Sequence, residues 1–386
     1  MTLRETEFQE LVDFYDHIRV PLSGMEREKR QGEYRYYGAQ GVIDHIDDYL
    51  FDGEYVLIAE DGANLVTRNE PIAQIVRGQF WVNNHAHIVK AKDGVSTNNF
   101  INCLINSKNI SGYVTGAAQP KLSQKNLKVI KFDVPAYDVQ VRIDDLISKY
   151  DDLIENNKRR IALLEESARQ LYKEWFVRFR FPGHEHVKIV DGVPEGWKKE
   201  TANKVIEILS GGTPKTSVAD YWDGDIGFFT PKDATNTVYV SNTEKTITKL
   251  GLAKCASKLY PKNTLFITAR GTVGKLNLAQ QPMAMNQSCY ALVGKDSINQ
   301  FYLYFAMQAG IQQVKSRAVG AVFDAIIKDT FKVIPFVIPP KTLIEEFTDF
   351  VEPTLKQIDT LIVSVQRLVQ ARDILLPKLM NGEIVV

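Results

Sequence analysis

Two stretches of the sequence carry apolar residues at spacings of three and four, which is the pattern of a long amphipathic helix. The first runs from about residue 141 to 177 and the second from about 342 to 376. The apolar positions of the first stretch are Ile143, Leu146, Ile147, Tyr150, Leu153, Ile154, Ile161, Leu164, Ala168, Leu171 and Trp175. Those of the second are Phe347, Phe350, Val351, Leu355, Ile358, Leu361, Ile362, Val365, Leu368 and Leu375. Pro353 lies inside the second pattern, where it predicts a kink or a broken first turn.

Each helix is about 50 Å long at 1.5 Å per residue, so a small domain cannot cover its apolar stripe. We therefore expect the two stripes to cover each other in an antiparallel coiled coil, as core residues rather than as a ligand site. The globular parts of the chain would then be related by a rough two-fold axis.

The remaining apolar pattern repeats along the chain, which predicts two copies of one structural unit. Residues 116–135 align with 320–339 without gaps at an offset of 204, with seven identities in twenty. The identities are Gly116, Ala117, Lys128, Val129, Ile130, Phe132 and Pro135, which recur as Gly320, Ala321, Lys332, Val333, Ile334, Phe336 and Pro339. Upstream, the strand-like run 57–62 matches 266–271, and Asn84 lies opposite Asn286 at an offset of 202.

These patterns predict an α+β fold with a pseudo-two-fold internal repeat, in which two globular α/β domains are joined by the two long helices. Glycine and proline are dense between the copies and predict turns and a linker. The predicted segments are a first domain at 1–135, a first helix at 136–180, a linker at 181–196, a second domain at 197–339, and a second helix with a tail at 340–386.

Composition and charge bound the class of protein. The 386 residues are 44% hydrophobic and 24% charged, as in ordinary globular proteins, and the three cysteines are far apart, which favours a reducing cytoplasm. No apolar run is long enough for a membrane span. The net charge is zero, but residues 186–339 carry 18 basic against 12 acidic residues, and residues 1–135 carry 15 against 18. We therefore expect only modest affinity for nucleic acid without a basic partner.

Several motifs, in this order and repeated, resemble the specificity subunits of type I restriction-modification systems over essentially the whole chain. In the first copy they are Tyr49-Leu-Phe-Asp-Gly-Glu-Tyr-Val-Leu-Ile-Ala-Glu-Asp-Gly, Trp81-Val-Asn-Asn-His-Ala-His and Gly112-Tyr-Val-Thr-Gly-Ala-Ala-Gln-Pro-Lys-Leu-Ser. In the second they are Gly211-Gly-Thr-Pro-Lys-Thr, Tyr221-Trp-Asp-Gly-Asp-Ile, Thr268-Ala-Arg-Gly-Thr-Val-Gly and Met285-Asn-Gln-Ser-Cys-Tyr, with Leu376-Pro-Lys-Leu-Met-Asn-Gly-Glu-Ile near the end.

The resemblance implies two target-recognition domains, each of which reads one half of a bipartite DNA site. It also implies helices that hold the halves apart and dock two methyltransferase subunits, which restriction and translocase subunits join. S-adenosylmethionine, ATP and Mg²⁺ are then expected in those partners, with no cofactor in this chain. One departure is that the first domain begins almost at Met1, so the usual lead-in looks short.

Polar residues in the predicted turns are the candidates for DNA contact. Arg270 and Lys275 place cations in a turn, Lys121 suits a phosphate, and amides such as Asn286 match adenine edges. A solvated loop, a hydrogen-bonded turn or core packing is the alternative reading for each. The full set of candidates is Tyr36, Tyr37, Gly38, Asn84, His85, Gln119, Lys121, Ser123, Thr213, Lys215, Arg270, Thr272, Lys275, Asn286 and Gln287.

Catalytic and metal motifs are missing from the sequence. No polar-Pro-Pro-aromatic loop of an adenine methyltransferase is present, and Gly271-Thr-Val-Gly-Lys-Leu has the wrong spacing for a phosphate-binding loop. His85 and His87 share a strand face, but the sequence places no cysteine or acidic pair near them, so we expect no metal. A non-catalytic DNA reader is the favoured hypothesis. The alternatives are a single-chain methyltransferase or nuclease with fused recognition domains, and a coiled-coil adaptor that binds only protein.

Overall fold

The computed structural model describes residues 2–116, 118–317 and 325–386. Ala117, Gly320 and Ala321 of the sequence repeat lie outside the described residues. Contacts divide the chain into two compact units, which we describe separately. Unit 1 comprises Met1–Ile154 and Arg367–Val386, and unit 2 comprises Glu155–Gln366. Each unit contains part of both long helices, so these divisions follow contacts and differ from the sequence segments given above.

Unit 1 is built on one mixed sheet of six strands in the order β2-β7-β5-β6-β3-β4, beside an antiparallel pair β1-β8. Its strands are β1 (Leu3–Glu7), β2 (Val12–Phe14), β3 (Gln31–Gly38), β4 (Gly41–Ile46), β5 (Phe51–Ala59), β6 (Ala73–Val82), β7 (Ala86–Ala91) and β8 (Lys131–Pro135). Its α-helices are α1 (Phe8–Leu11), α2 (Gly24–Glu28), α3 (Asn64–Thr67), α4 (Asn98–Ser107), α5 (Gln124–Lys128) and the start of α6 (Tyr137–Tyr172).

The central strand β5 explains why unit 1 has apolar packing on both faces of its sheet. Side chains alternate between faces along a strand. Val56 and Ile58 join the cluster that includes α4, and Leu57 joins a second cluster on the opposite face. All three side chains are buried, which accounts for the continuous apolar run in this part of the sequence.

Unit 2 contains a five-stranded sheet β12-β19-β16-β17-β14, a three-stranded sheet β15-β13-β18 and the pairs β11-β20 and β9-β10. The strands are β9 (Ile189–Val190), β10 (Val193–Pro194), β11 (Lys198–Thr201), β12 (Ile206–Ser210), β13 (Trp222–Phe229), β14 (Tyr239–Val240), β15 (Thr246–Ile247), β16 (Leu265–Thr268), β17 (Leu276–Ala279), β18 (Met283–Met285), β19 (Cys289–Gly294) and β20 (Pro335–Ile338). The helices are α7 (Ala202–Val205), α8 (Lys249–Ala253), α9 (Gln300–Arg317) and most of α10 (Lys341–Met380).

The predicted internal repeat is confirmed at the level of topology. The order β2-β7-β5-β6 in unit 1 corresponds to β12-β19-β16-β17 in unit 2. Phe132 on β8 and Phe336 on β20, which align at the offset of 204, are both buried beside an antiparallel partner strand. The copies differ where β6 corresponds to two shorter strands, β17 and β18, because Pro282 between them cannot donate to a sheet.

Both predicted long helices are present. The predicted break at Pro353 is wrong, whereas a kink there stays a prediction. Helix α10 continues through Pro353 without a break, although proline costs a helix interior about 3 kcal/mol. Buried Val351 and Leu355 flank it, so we attribute the continuity to tertiary packing of the apolar face. Two members of the apolar stripes are also not core residues, because Leu153 is 50% exposed and Phe350 is 63% exposed.

Within unit 2, the segments of α6 and α10 run antiparallel, as expected. Asn157 donates to Ser364 over 3.4 Å, and the rings of Tyr172 and Phe347 lie 5.9 Å apart between centroids. The earlier residue of α6, Asn157, therefore lies beside the later residue of α10, so the two helices run in opposite directions. Coiled-coil geometry over the full length of the helices stays a prediction.

The segment 181–196, predicted as turns and linker, is folded within unit 2. It contains the short hairpin β9–β10. Phe181 and Val193 are buried, and the Phe181 ring lies 5.1 Å from that of Trp197. This part of the chain therefore contributes to the core of unit 2.

Candidate nucleic-acid interface

A cleft of about 410 Å³ opens in unit 2 where several strands end. Three of the predicted residues, Thr213, Arg270 and Asn286, line it together. The described residues around it also include Lys232 and Lys245, two further cations, as well as the aromatic rings of Trp222 and Phe228. Cations, a planar ring and an amide suit phosphates and base edges, so this cleft is the best candidate interface in unit 2.

Backbone hydrogen bonds fix the turns that carry the cleft residues. The Asn286 amide donates to Phe229 O, and the Asn286 side chain accepts from the Ser288 amide over 3.0 Å. Gly212 donates to Met285 O, which brings Thr213 beside the same turn. Two predicted residues are joined directly, because the Thr213 hydroxyl donates to the Gln287 side chain.

Two other predicted residues connect neighbouring loops. The Thr272 hydroxyl donates to Pro231 O over 3.0 Å, and the ammonium of Lys275 reaches Ala234 O at 3.4 Å. These bonds tie the turn after β16 to the loop after β13. Thr272 and Lys275 therefore position the cleft in this structure, whereas exposed Arg270 at the start of the turn lines it.

Two basic residues of the cleft, Lys232 and Lys245, were not among the residues predicted from the sequence. Lys245 lies with its ammonium 5.6 Å from the centroid of Trp222, and Lys232 faces Glu244 at 3.8 Å. The indole N–H of Trp222 donates to the backbone carbonyl of Lys215, whose own side chain is exposed outside the cleft. Lys245 is 23 residues from Trp222, so only the folded chain reveals the pair.

In unit 1, the corresponding turn carries an exposed histidine held by a carboxylate. His85 Nδ1 lies 2.6 Å from Asp61 Oδ2, and Asn84 beside it is exposed. Asn84, however, is not the counterpart of Asn286, which corrects the offset of 202. Asn83 takes that place, because its amide donates to Tyr37 O and its side chain accepts from the His85 amide over 2.8 Å.

Behind this turn lies a buried network of charges that the sequence did not predict. His87 Nδ1 is 2.6 Å from Asp16 Oδ2, and His87 Nε2 is 2.7 Å from Leu122 O. Arg19 donates to Glu60 over 2.8 Å, and Lys121 forms an ion pair with the same carboxylate at 3.2 Å. The predicted phosphate contact Lys121 is therefore already paired in this structure.

Opposing effects set the ionisation of this network. Burial alone would raise the pKa of Asp16, but the hydrogen bond and charge of His87 help to hold that pKa below its usual value. Burial also opposes ionisation of Glu60, yet Arg19 and His87 lower its pKa overall. Because the carbonyl of Leu122 can only accept, Nε2 of His87 donates to it, while Nδ1 faces the carboxylate of Asp16.

The fold thus brings near the histidines an acidic pair that is not near them in the sequence. Asp61 contacts His85, while Asp16 and Glu60 surround His87, all brought together by the fold from distant parts of the sequence. Within the described ranges, no three His, Cys, Asp or Glu side chains are grouped so that they could hold a metal ion.

Several candidates in unit 1 have other positions than expected. Tyr36 and Tyr37 belong to the core, and the Tyr36 hydroxyl accepts from the Leu22 amide over 2.9 Å. Gly38 is also buried, at the end of β3, whereas Gln119 is exposed. Ser123 caps α5 by accepting from the Asn126 amide. Tyr36 and Tyr37 belong to separate buried clusters, and Gly38 beside them is buried as well, so these three residues are not surface contacts.

Comparison with known proteins identifies the family. The profile described as type I restriction modification DNA specificity domain matches residues 5–166 and 194–361. The chain therefore belongs to the family of type I restriction-modification specificity subunits.

Individual relatives agree with this family. The chain is 28% identical over 198 residues to the type I restriction enzyme MjaIX specificity subunit of Methanocaldococcus jannaschii, and this match covers 48% of the chain but only 46% of that relative. It is 23% identical over 329 residues to the HindI specificity subunit of Haemophilus influenzae, covering 69% of the chain and 71% of the relative.

A solved structure supports the fold. The crystal structure of a type I restriction-modification system S subunit from M. genitalium matches with a TM-score of 0.61 and 15% identity, over 98% of this chain and 96% of that one. Separately, none of the helices in the described ranges is both long and apolar enough to cross a membrane.

Proposed function

We propose that this chain reads a two-part DNA sequence for a type I restriction-modification complex and has no catalytic site of its own. The observation that carries the proposal is the cleft of unit 2, where Arg270, Lys232 and Lys245 meet Trp222 and Asn286. Phosphates select the cations, and base edges select the amide and guanidinium groups. The repeat supplies a second unit with the same strand order, which supports a second half-site.

The charge distribution also supports contact between unit 2 and DNA. Residues 186–339 carry six more basic than acidic residues, although the whole chain is neutral. A local excess of this size favours contact with a phosphate backbone but supplies modest affinity by itself. We therefore propose that firm DNA binding requires the partner subunits.

The proposed partners are two methyltransferase subunits, which restriction and translocase subunits join. S-adenosylmethionine, ATP and Mg²⁺ would be bound by those subunits, where the chemistry occurs. The missing adenine-methyltransferase and phosphate-loop motifs in this sequence support that division of labour. Action on cellular DNA places the complex in the cytoplasm in this proposal.

The two long helices would set the distance between the half-sites. Helix α6 has 36 residues and α10 has 40, so each would extend roughly 55–60 Å at 1.5 Å per residue. A spacer of fixed length then becomes part of the recognised sequence, as for other two-part DNA readers.

A binding assay tests this function directly. The chain is purified alone and with its methyltransferase partner, and each sample is tested for nuclease protection of DNA and for S-adenosylmethionine binding. We expect two protected segments with the complex, and no S-adenosylmethionine binding by the chain alone. Binding of this donor by the isolated chain would favour a fused methyltransferase, and a complex that protects no DNA would favour a protein-only adaptor.

A further inference from the structure

The same position in the two units carries opposite charges. In unit 1, the amide of Glu60 donates to His85 O over 2.9 Å, and in unit 2 the amide of Ala269 donates to Ser288 O over 2.8 Å. The carbonyls of the same two residues accept from Leu122 and Ile326, respectively, each over 2.8 Å. These matched bonds make Glu60 and Ala269 structural equivalents. The residue that follows is an aspartate in one unit and an arginine in the other.

The turn that follows is also shared. Asp61 precedes Gly62, and Arg270 precedes Gly271, and both glycines have positive φ, at 115° and 76°. A glycine in this region lets the chain leave the strand sharply, so the preceding side chain stands at the tip of the sheet. Asp61, whose side chain is 17% exposed, and exposed Arg270 therefore precede equivalent glycines after equivalent strands.

The side chain at this position has a different hydrogen-bonding chemistry in each unit. Asp61 accepts from His85 at one carboxylate oxygen, and its other oxygen has no hydrogen-bond partner within the described ranges. Arg270 is exposed at the cleft and forms no ion pair with a described carboxylate. A carboxylate only accepts hydrogen bonds, whereas a guanidinium only donates them. Asp61 thus selects hydrogen-bond donors, and Arg270 selects hydrogen-bond acceptors.

Base edges in the major groove offer both kinds of partner. Guanine presents two acceptors, N7 and O6, which a guanidinium binds with two parallel hydrogen bonds. Cytosine and adenine present an amino group, which a carboxylate accepts. Phosphates, by contrast, carry only acceptors and would repel Asp61, so a common role in backbone contact does not fit both residues.

We infer that Asp61 and Arg270 are equivalent base-reading residues with opposite selectivity: Arg270 selects guanine at one position of its half-site, and Asp61 selects cytosine or adenine at one position of the other. This inference rests on the proposed function. It assigns specificity to a single side chain in each unit, and Lys232 and Lys245 then serve for phosphate contact.

The test uses the assembled complex with its methyltransferase partner and a pool of DNA duplexes in which the bases of both half-sites are randomised one at a time. Methylated molecules are sequenced for the wild-type chain and for R270A, R270K, D61A and H85A. We expect R270A to lose a preference of roughly 5- to 150-fold for guanine at one position, with the other half-site unchanged. R270K should retain part of that preference.

The unit 1 variants separate Asp61 from its neighbour. D61A should relax a position occupied by cytosine or adenine in the other half-site, whereas H85A, which leaves the carboxylate in place, should keep that preference. Unchanged preferences in R270A and D61A, or uniform weakening at all positions, would overturn the inference. Loss of the Asp61-dependent preference in H85A would make the histidine the reader instead and would also overturn it. Absence of a two-part motif with the wild-type chain would instead reject the proposed function.

Discussion

His87 Nδ1 lies 2.6 Å from the carboxylate of Asp16, and both side chains are buried inside unit 1. The other ring nitrogen donates to Leu122 O, which lies directly after Lys121. The ring thus joins Asp16 in the turn after β2, strand β7 and the segment that leads to α5. These contacts support the turn that carries Asp61 and His85.

Removing the imidazole should therefore destabilise unit 1. H87A removes the hydrogen bonds of the ring to buried Asp16 and to Leu122 O, and loss of one partner of a buried hydrogen bond costs about 1–3 kcal/mol. We expect a loss of that order in the free energy of urea unfolding at pH 7. The matched control is H85A, because the His85 ring is about half exposed and its pair with Asp61 should contribute less than about 1 kcal/mol. Equal effects of the two substitutions would contradict this role of His87.

Stability should also change with pH through Asp144. Burial raises the pKa of this carboxyl from 3.8 to about 6, although a hydrogen bond from Thr97 opposes the rise. Because the folded-state pKa is raised, its contribution to stability is complete below pH 4 and is lost as the pH rises through 6. D144N should therefore be more stable than the wild type by about 1–2 kcal/mol at pH 7.5, after allowance for partial exposure.

The measurement for Asp144 is urea unfolding of both proteins at pH 4.5 and 7.5. The difference in the free energy of unfolding between D144N and the wild type should be larger at pH 7.5. Exposed Asp145, which pairs with Lys149 on the same helix, provides the control substitution D145N. If this difference in unfolding free energy is the same at both pH values, or also appears in D145N, then burial of Asp144 does not cause it.

The lysines of the cleft should act without regard to sequence. K245A removes one cation near the proposed phosphate path, so affinity for DNA should fall by a similar factor for every site tested. The slope of log affinity against log salt should become shallower by about one. K204A, at an exposed lysine of unit 2 outside the cleft, is the control. A loss confined to particular base sequences would show that Lys245 reads bases.

Helix length should set the spacer between half-sites. Removal of residues 150–156 and 365–371 deletes about two turns from each helix, or roughly 10 Å at 1.5 Å per residue. We expect the recognised spacer to shorten by about three base pairs at 3.4 Å per step, with both half-sites unchanged. The motif methylated by the variant complex reports the result, and an unaltered spacer would refute the role of the helices as a ruler.

The elements with regular spacing were predictable from the sequence. The apolar stripe that includes Ile143 and Ile161 located α6, because three- and four-residue spacing has one physical interpretation over ten turns. The match between Phe132 and Phe336 located two equivalent strands. The expected break at Pro353 is absent, since local propensity opposes a helix there and tertiary packing outweighs it.

The candidate site was harder to predict, because its residues come from separate turns. Alignment of 57–62 with 266–271 already set Asp61 opposite Arg270, yet only the hydrogen-bond pattern shows that the two turns are equivalent. The sequence allows Tyr36 to be a surface contact, because alternation along β3 does not say which face of the strand is covered. In the fold the Tyr36 side chain is buried. Lys245 had no local signal at all.

In our proposal, this chain reads DNA in two parts. Sequencing of methylated bases in a host that carries the chain with its methyltransferase and restriction partners tests it most directly. We predict one methylated motif made of two specific half-sites, separated by a spacer of constant length and no fixed sequence. A continuous motif, or a genome whose methylation does not depend on this chain, would contradict the claim.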